Sequence, residues 1–444
     1  MDTLALVFYN AAIFLGSPFI AVYYIIHAWT RGHSLTSTGE RLGLVRQLPP
    51  AGEGGRVWLH AVSVGEVGVA AALVPELLKK RPGLRIVLST VTETGREEAG
   101  KIDGVEHVFY LPFDYPHAVR SALRRIGPGG IAIIETELWP NLVWEAARRG
   151  LPVCVVNGRL SEKSLRGYTR LRFLFAPVLK KLAGVAARGE ADAKRYSSLG
   201  APGVFAAGNI KFDAPAPRLS GSQEDLKKKF GLAGADPIIV AGSTHPGEMT
   251  GLTGAVHTLR ERFKRLGALI APRHLPRLEE VEAELRRGGL DPVRWSEIGG
   301  GSGSSSRIGS GGGQVVLLDR MGELAEAYAC GTAAFIGGSL IPHGGQNPIE
   351  AARWGVPVVF GPHMDNFAEV AGDLLRVEGA VRVESAEGLA GALFPWLSDR
   401  ATRDTAGASA KELVMANRGA AERASEFLLG VLDSRGGDEG EEKS

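Results

Sequence analysis

The chain holds only two cysteines, Cys154 and Cys330, in 444 residues. That excludes a disulfide-framework fold. Each lies in an apolar segment, so both read as buried free thiols of a reducing compartment. No Cys/His cluster has metal-site spacing. A Walker lysine loop is absent, and no G-x-G-x-x-G follows the first strand of either half, which disfavours ATP hydrolysis and a conventional NAD site. There is no Asp-x-Asp pair of the sort that holds a metal–diphosphate. Net charge is small: 51 Lys+Arg against 49 Asp+Glu gives +2, which gives no support for a whole-surface nucleic-acid binder.

Glycine, in contrast, is abundant at 60 residues, as many tight βα turns require. From Arg56 onward, apolar runs of strand length alternate with helical periodicity. RVWLHAV, RIVLST, HVFYLP, GIAIIETE, PVCVVNG, GVAARG and GVFAAG come first; PIIVAGST, ALIAPRH, QVVLLD, Ala333–Ile336 and VPVVF follow a Pro-rich NIKFDAPAP. This βαβα pattern predicts an α/β fold with mainly parallel, doubly wound sheets. The expected organisation is an N-terminal segment at 1–30, a first Rossmann-like domain at 31–215 and a linker at 216–232. A second Rossmann-like domain at 233–398, C-terminal helices at 399–432 and a disordered tail at 433–444 complete it. The Gly/Ser run at 299–313 reads as a surface loop without chemistry.

Thr3 to Thr30 carries no formal charge if His27 is neutral, and is long enough for a bilayer core of about 30 Å. A membrane span is the first reading. A helix lying in the membrane surface and a buried core helix are the alternatives, because Asn10 and Pro18 interrupt a clean span. Arg31, Arg41 and Arg46 follow the segment and place the body on the cytoplasmic side.

In open α/β sheets, chemistry gathers where loops leave the carboxyl ends of strands. Ser63, Gly65 and Glu66 form such a loop after RVWLHAV. Glu66 reads either as a general base or as a solvated glutamate favouring the helix dipole. Glu135 and Glu137 end another strand and point the same way if it persists. They compete between an acceptor-side role and a helix cap, while Trp139 and Asn141 offer a ring face and an amide. Arg159 to Lys181, including Arg166, is basic and aromatic-bearing, which suits an anionic lipid head group or a solvated helix face. In the second half, Arg273 and His274 end ALIAPRH and can meet a phosphate. Gly322 and Glu323 open a helix after a strand. The loop Gly337–Gly345, with Gly338, offers backbone amides to an anion. Asn347 and Glu350 open the next helix, and Glu350 offers a carboxylate to sugar hydroxyls.

HAVSVGE, ETELWPN, NGRLS, GNIKFD, APRH, MGEL and GGSLIPHGGQNPIEAA occur in one order. Together they resemble the 3-deoxy-D-manno-octulosonic acid (Kdo) transferases of lipopolysaccharide assembly. The resemblance implies the GT-B architecture: two Rossmann-like domains facing across a cleft, with an N-terminal membrane-anchor helix and final helices that return to the first domain. It implies inverting, metal-independent transfer of Kdo from CMP-Kdo to an anionic lipid A precursor at the inner membrane, with no resident cofactor. By the same resemblance Glu66 is the base. Arg273, Gly322, Glu323, Asn347 and Glu350 meet CMP, with Glu350 on the ribose, and Lys211 of IKFD meets the Kdo carboxylate. A transferase using a UDP-sugar, a sugar-nucleotide epimerase and a non-catalytic nucleotide- or lipid-binding protein remain as rivals.

Overall fold

The computed structural model describes residues 2–31, 35–213, 219–299 and 313–434. The Gly/Ser run over 300–312 and the tail from 435 lie outside them. The chain divides into two compact units, Met1–Ala214 with Asn417–Ser444, and Pro215–Ala416.

The first unit is built on seven parallel strands: β1 (Arg56–His60), β2 (Arg85–Thr90), β3 (Val105–Tyr110), β4 (Gly130–Ile134), β5 (Val153–Gly158), β6 (Gly184–Ala187) and β7 (Val204–Ala206). Their order is β3-β2-β1-β4-β5-β6-β7. Helices cover both faces, so the strands are continuous apolar runs rather than alternating ones. Strand alternation sends Val57, Leu59, Ile86 and Leu88 into one core and Trp58, Val87, Phe109 and Ile131 into the other. The order reverses between β1 and β4, and the loops leaving these two strands splay apart there.

The last helix, Ala420–Asp433, belongs to this unit and packs on the helix Val64–Lys80. Ala420, Ala424 and Leu428 join the core on that face of the sheet. Its entry is tied down by Asp213, whose carboxylate accepts the N–H groups of Gly419 and Ala421 at 2.6 and 2.7 Å. Glycine at the start of β6 makes room for it: a Cβ on Gly184 would lie 2.8 Å from the Phe427 ring.

The N-terminal segment is a helix, Asp2–Arg31. Among the described residues, however, no helix is long and apolar enough to cross a membrane, so the expected span is not shown. The first half of the helix is bonded to its own unit instead. Tyr9 donates to Asp114 at 2.8 Å, Asn10 accepts from the Asn141 amide at 2.7 Å, and the Ser17 and Tyr115 hydroxyls meet at 2.7 Å.

The second unit has β8 (Ile238–Thr244), β9 (Gly267–Pro272), β10 (Pro292–Arg294), β11 (Val315–Leu317), β12 (Ala333–Ile336), β13 (Val358–Phe360) and β14 (Ala380–Arg382), all parallel, in the order β10-β11-β9-β8-β12-β13-β14. Here the order reverses between β8 and β12. The stretch 216–232, expected as a linker, is packed structure over its described part. The helix Gln223–Lys229 opens with a Ser222–Asp225 capping box, and Leu226, Phe230 and Leu232 are buried. The i,i+4 spacing of Leu226 and Phe230 was the overlooked signal. The helix Arg400–Ala416 lies within this unit.

Leu428 is 1% exposed. Leu428→Ala should destabilise the first unit by about 2–5 kcal/mol. Urea unfolding followed by Trp fluorescence checks this; a loss under half that range would mean the last helix contributes little to the core.

Candidate active site

In the first unit, the chain leaves β1 through Ala61 and Val62 and enters the helix Val64–Lys80 at Ser63, which holds the N-cap position without a side-chain cap bond. Gly65 is exposed. Glu66 sits in the first turn and bends back, so that its Oε2 accepts the Val62 N–H at 2.5 Å. Burial pushes the Glu66 carboxyl up to about 8. The Val62 bond opposes this, Glu135 and Glu137 add to it, and Lys211 opposes it.

Glu135 and Glu137 do not continue the strand. β4 ends at Ile134, and Glu135 adopts φ 65°, in the left-handed region. Glu135 therefore turns aside and pairs with Lys211 at 2.9 Å. Burial raises the Glu137 carboxyl. Lys211 was expected with the donor-binding residues. It lies on the single turn Ile210–Asp213 of the first unit, in the acidic cluster around Glu66. Arg159 follows β5, and its carbonyl accepts the Thr136 hydroxyl at 2.7 Å. Arg166 is exposed on the helix Glu162–Arg170, which buries none of its residues.

A buried network that the sequence did not reveal holds the loop after β4. Trp139 Nε1–H donates to His60 Nε2 at 3.2 Å. That bond assigns the imidazole proton to Nδ1, which donates to Ser89 Oγ at 2.9 Å. Ser89 also accepts from Trp58 Nε1–H at 2.7 Å. Burial lowers the His60 pKa to about 4, so the ring stays neutral. A histidine at an inward register of an apolar strand was the available signal. Asn141, a candidate for acceptor contact, is buried, and its amide is committed to Asn10 and to the Asp114 carbonyl. Asp114 caps the helix Pro140–Ala147 by accepting the Asn141 and Leu142 N–H groups, both at 2.9 Å.

In the second unit, three loops converge beside the strand reversal. β8 ends at Thr244 and continues as His245, Gly247 and Glu248 into the helix Met249–Arg262. β9 delivers Arg273 and His274. β12 delivers Gly337 through Gln346, then Asn347 and Glu350. The His245 ring centroid is 4.0 Å from that of His343 and 5.5 Å from that of His274. Gln346 Nε2 donates to His245 Nε2 at 3.2 Å. Burial, then His343, His274 and Arg273, lower the His245 pKa to about 4. Burial raises the Glu350 carboxyl, against Arg353, a 3.4 Å bond from Asn347 Nδ2 and Arg273.

The glycine loop differs from expectation. Its close approach to β8 does demand glycine: a Cβ on Gly337 would lie 2.3 Å from the Ser243 carbonyl oxygen. Yet the amides of Gly338, Ser339 and Leu340 are not open to an anion. All three donate to the buried Glu248 carboxylate. The Glu323 carboxylate is likewise committed, to Lys229 at 3.0 Å. Gly322 has φ 89°, and the helix after it, Leu324–Ala327, is a single turn. Glu248, His343 and Gln346 escaped the sequence reading. The signal for Glu248 was present, because STHPGE repeats the strand–Ser/Thr–Gly–Glu–helix order of SVGE.

Both units thus place carboxylates at the strand reversal, the first with a lysine and the second with an arginine and imidazoles. The sequence matches, over residues 36–214, the family described as 3-Deoxy-D-manno-octulosonic-acid transferase (kdotransferase). It is 32% identical over 438 residues to the 3-deoxy-D-manno-octulosonic acid transferase of Haemophilus influenzae, covering 96% of this chain and 98% of that protein. With the enzyme of the same name from Bordetella pertussis it shares 33% identity over 399 residues, 87% of this chain and 90% of that one. In fold alone it is similar to UDP-GlcNAc 2-epimerase from Neisseria meningitidis bound to UDP-GlcNAc, with a TM-score of 0.55, 11% identity, and coverage of 85% of this chain and 100% of that chain. Near-complete coverage of the Haemophilus relative includes SVGE, ETELWPN and NPIE together, and the chain belongs to the 3-deoxy-D-manno-octulosonic acid transferase family of glycosyltransferases.

Proposed function

We propose that the protein transfers Kdo from CMP-Kdo to a hydroxyl of an anionic lipid A precursor, with inversion and without a metal ion, at the cytoplasmic face of the inner membrane. The observation that carries this reading is Glu66, a partly buried carboxylate at the end of β1 with its basicity raised by burial and by two neighbouring carboxylates. Such a group, once deprotonated, is well matched to removing a proton from an alcohol near neutral pH. In the proposed step, the acceptor oxygen gives its proton to Glu66 and bonds to the anomeric carbon. The bond from that carbon to the phosphate oxygen breaks on the opposite face, and CMP departs with the electron pair. A single phosphate leaves less charge to neutralise than a diphosphate. Arg273, beside His274, supplies a fixed cation for it, which supports transfer without a metal. Asn347 and Glu350 are proposed for the ribose. Lys211, paired with Glu135, is proposed to balance the acidic cluster on the base side.

For the membrane, an attachment along the surface fits better than a span. The face of the N-terminal helix opposite Tyr9 and Ser17 exposes Leu4, Val7, Phe8, Phe14 and Leu15, each at least 62%. These positions share one side of a helix. The same helix packs on Arg172–Leu179, where Arg172 and Phe173 are exposed. Apolar side chains beside cations suit an anionic bilayer surface.

Purified protein, CMP-Kdo and a lipid A precursor with a chelator should yield a lipid heavier by one or more Kdo units by mass spectrometry. Glu66→Gln should cut the rate by about 10²-fold or more while still binding CMP; near-normal turnover would reject Glu66 as base. The wild-type rate should rise with pH through about 8, as Glu66 loses its proton. Because the folded pKa is raised from 4.5, stability from this group is complete below pH 4.5 and is lost as pH rises through about 8. Glu66→Gln should therefore gain thermal stability over the wild type at pH 9 and not at pH 4.

Glu350→Ala should weaken CMP binding by about tenfold or more, as loss of a charged hydrogen-bond acceptor does; unchanged affinity in calorimetry would remove Glu350 from the ribose. Phe8→Asp with Phe14→Asp should release the protein from anionic vesicles in co-sedimentation. Undiminished sedimentation would exclude this helix as the attachment.

A further inference from the structure

The glycine loop after β12 curls around a carboxylate of the chain itself. Glu248 is fully buried. Its Oε2 accepts the N–H groups of His245 and Gly338, both at 2.8 Å, and its Oε1 accepts those of Ser339 and Leu340, both at 3.1 Å. Each oxygen takes two donors, the bonding pattern of an anion, and these four bonds oppose the upward push that burial gives the carboxyl. Four converging amides beside a strand reversal are the arrangement by which open α/β sheets hold phosphate oxygens.

We propose that Glu248 occupies this anion cradle in place of a phosphate, and so makes the second unit prefer a donor that departs as a nucleoside monophosphate over one that departs as a nucleoside diphosphate. The inference rests on the nucleotide-sugar reading of this unit and adds a residue that sets its phosphate count. With the cradle filled, side chains offer donors at the loop mouth. The His245 ring lies directly over Gly338, where a Cβ would be 3.1 Å from its Cδ2. His343 and His274 flank that ring, and Arg273 adjoins them. A first phosphate meets these groups. A second phosphate directed at the loop meets amides already bonded to a carboxylate, and meets that carboxylate's charge at a site with little water to screen it. Glu248 acts through the loop it shapes and is therefore a positioning and specificity residue.

The test is calorimetry with CMP and CDP on the full chain. The wild type should bind CMP, and bind CDP about tenfold more weakly or worse, as juxtaposed like charges require. Glu248→Gln keeps the side-chain size, removes the charge and sets an N–H₂ against the amides. It should narrow the CMP:CDP ratio by about tenfold, whatever happens to absolute affinity. A residue that merely braces the fold would weaken both nucleotides together, so an unchanged ratio in a variant with native circular dichroism overturns the proposal. If that variant does not fold, the wild-type comparison decides alone: CDP bound as tightly as CMP refutes the role of Glu248. Binding of neither nucleotide refutes the donor reading beneath it.

Discussion

At the end of the strand where a doubly wound sheet reverses its order, backbone amides lose the neighbour that would have accepted from them. A buried amide without an acceptor is costly. Both units meet this constraint in the same way, with a glutamate at the start of the next helix reaching back to the strand end. Glu66 takes the Val62 amide, and Glu248 takes the His245 amide. In the first unit one amide is satisfied and the carboxylate keeps acceptor capacity, so burial and neighbouring charge raise its basicity. In the second unit three more amides arrive from the glycine loop, and the carboxylate becomes a fixed part of the frame. One backbone problem thus yields a reactive group on one sheet and a structural anion on the other.

Charges elsewhere follow from these two placements. Glu135 turns out of β4 at positive φ and meets Lys211, so the acid-rich end of the first sheet carries a compensating cation. His60 stays neutral because it is buried, and through its bonds to Trp139 and Ser89 it ties the loop of Glu137 to the sheet. In the second unit, His245 is hemmed in by two other imidazoles and Arg273, which disfavours its own positive charge. The opposite electrostatic characters of the two sites arise from local packing, since the chain as a whole is nearly neutral.

Much of the architecture was legible because parallel strands buried on both faces must be apolar runs bounded by glycine turns, and runs such as RIVLST and PIIVAGST have few other readings. SVGE and NPIE could be placed at carboxyl ends of strands from local sequence alone. The destination of a side chain could not. Nothing near Lys211 in sequence announces Glu135, and nothing in GGSLIPHGG announces that its amides are taken by a residue about ninety positions earlier. The segment at 216–232 was misread because Pro215, Pro217 and its charges outweighed Leu226, Phe230 and Leu232. The N-terminal helix was read by hydropathy first as a span, with a surface helix and a core helix as alternatives, and the bonds of Tyr9, Asn10 and Ser17 to their own unit could not be read from hydropathy.

The return of Ala420–Asp433 to the first sheet has a consequence for the order of events during synthesis. The residues that complete one of the two cores of the first unit leave the ribosome after the entire second unit has emerged. Until then, the part of that core that awaits Ala420, Ala424 and Leu428, beside the helix Val64–Lys80, stays uncovered, while the second unit can fold from a continuous stretch. The half of the molecule made first is therefore the half finished last, and a chain cut short anywhere before the last helix leaves that apolar face exposed to chaperones and to neighbouring chains.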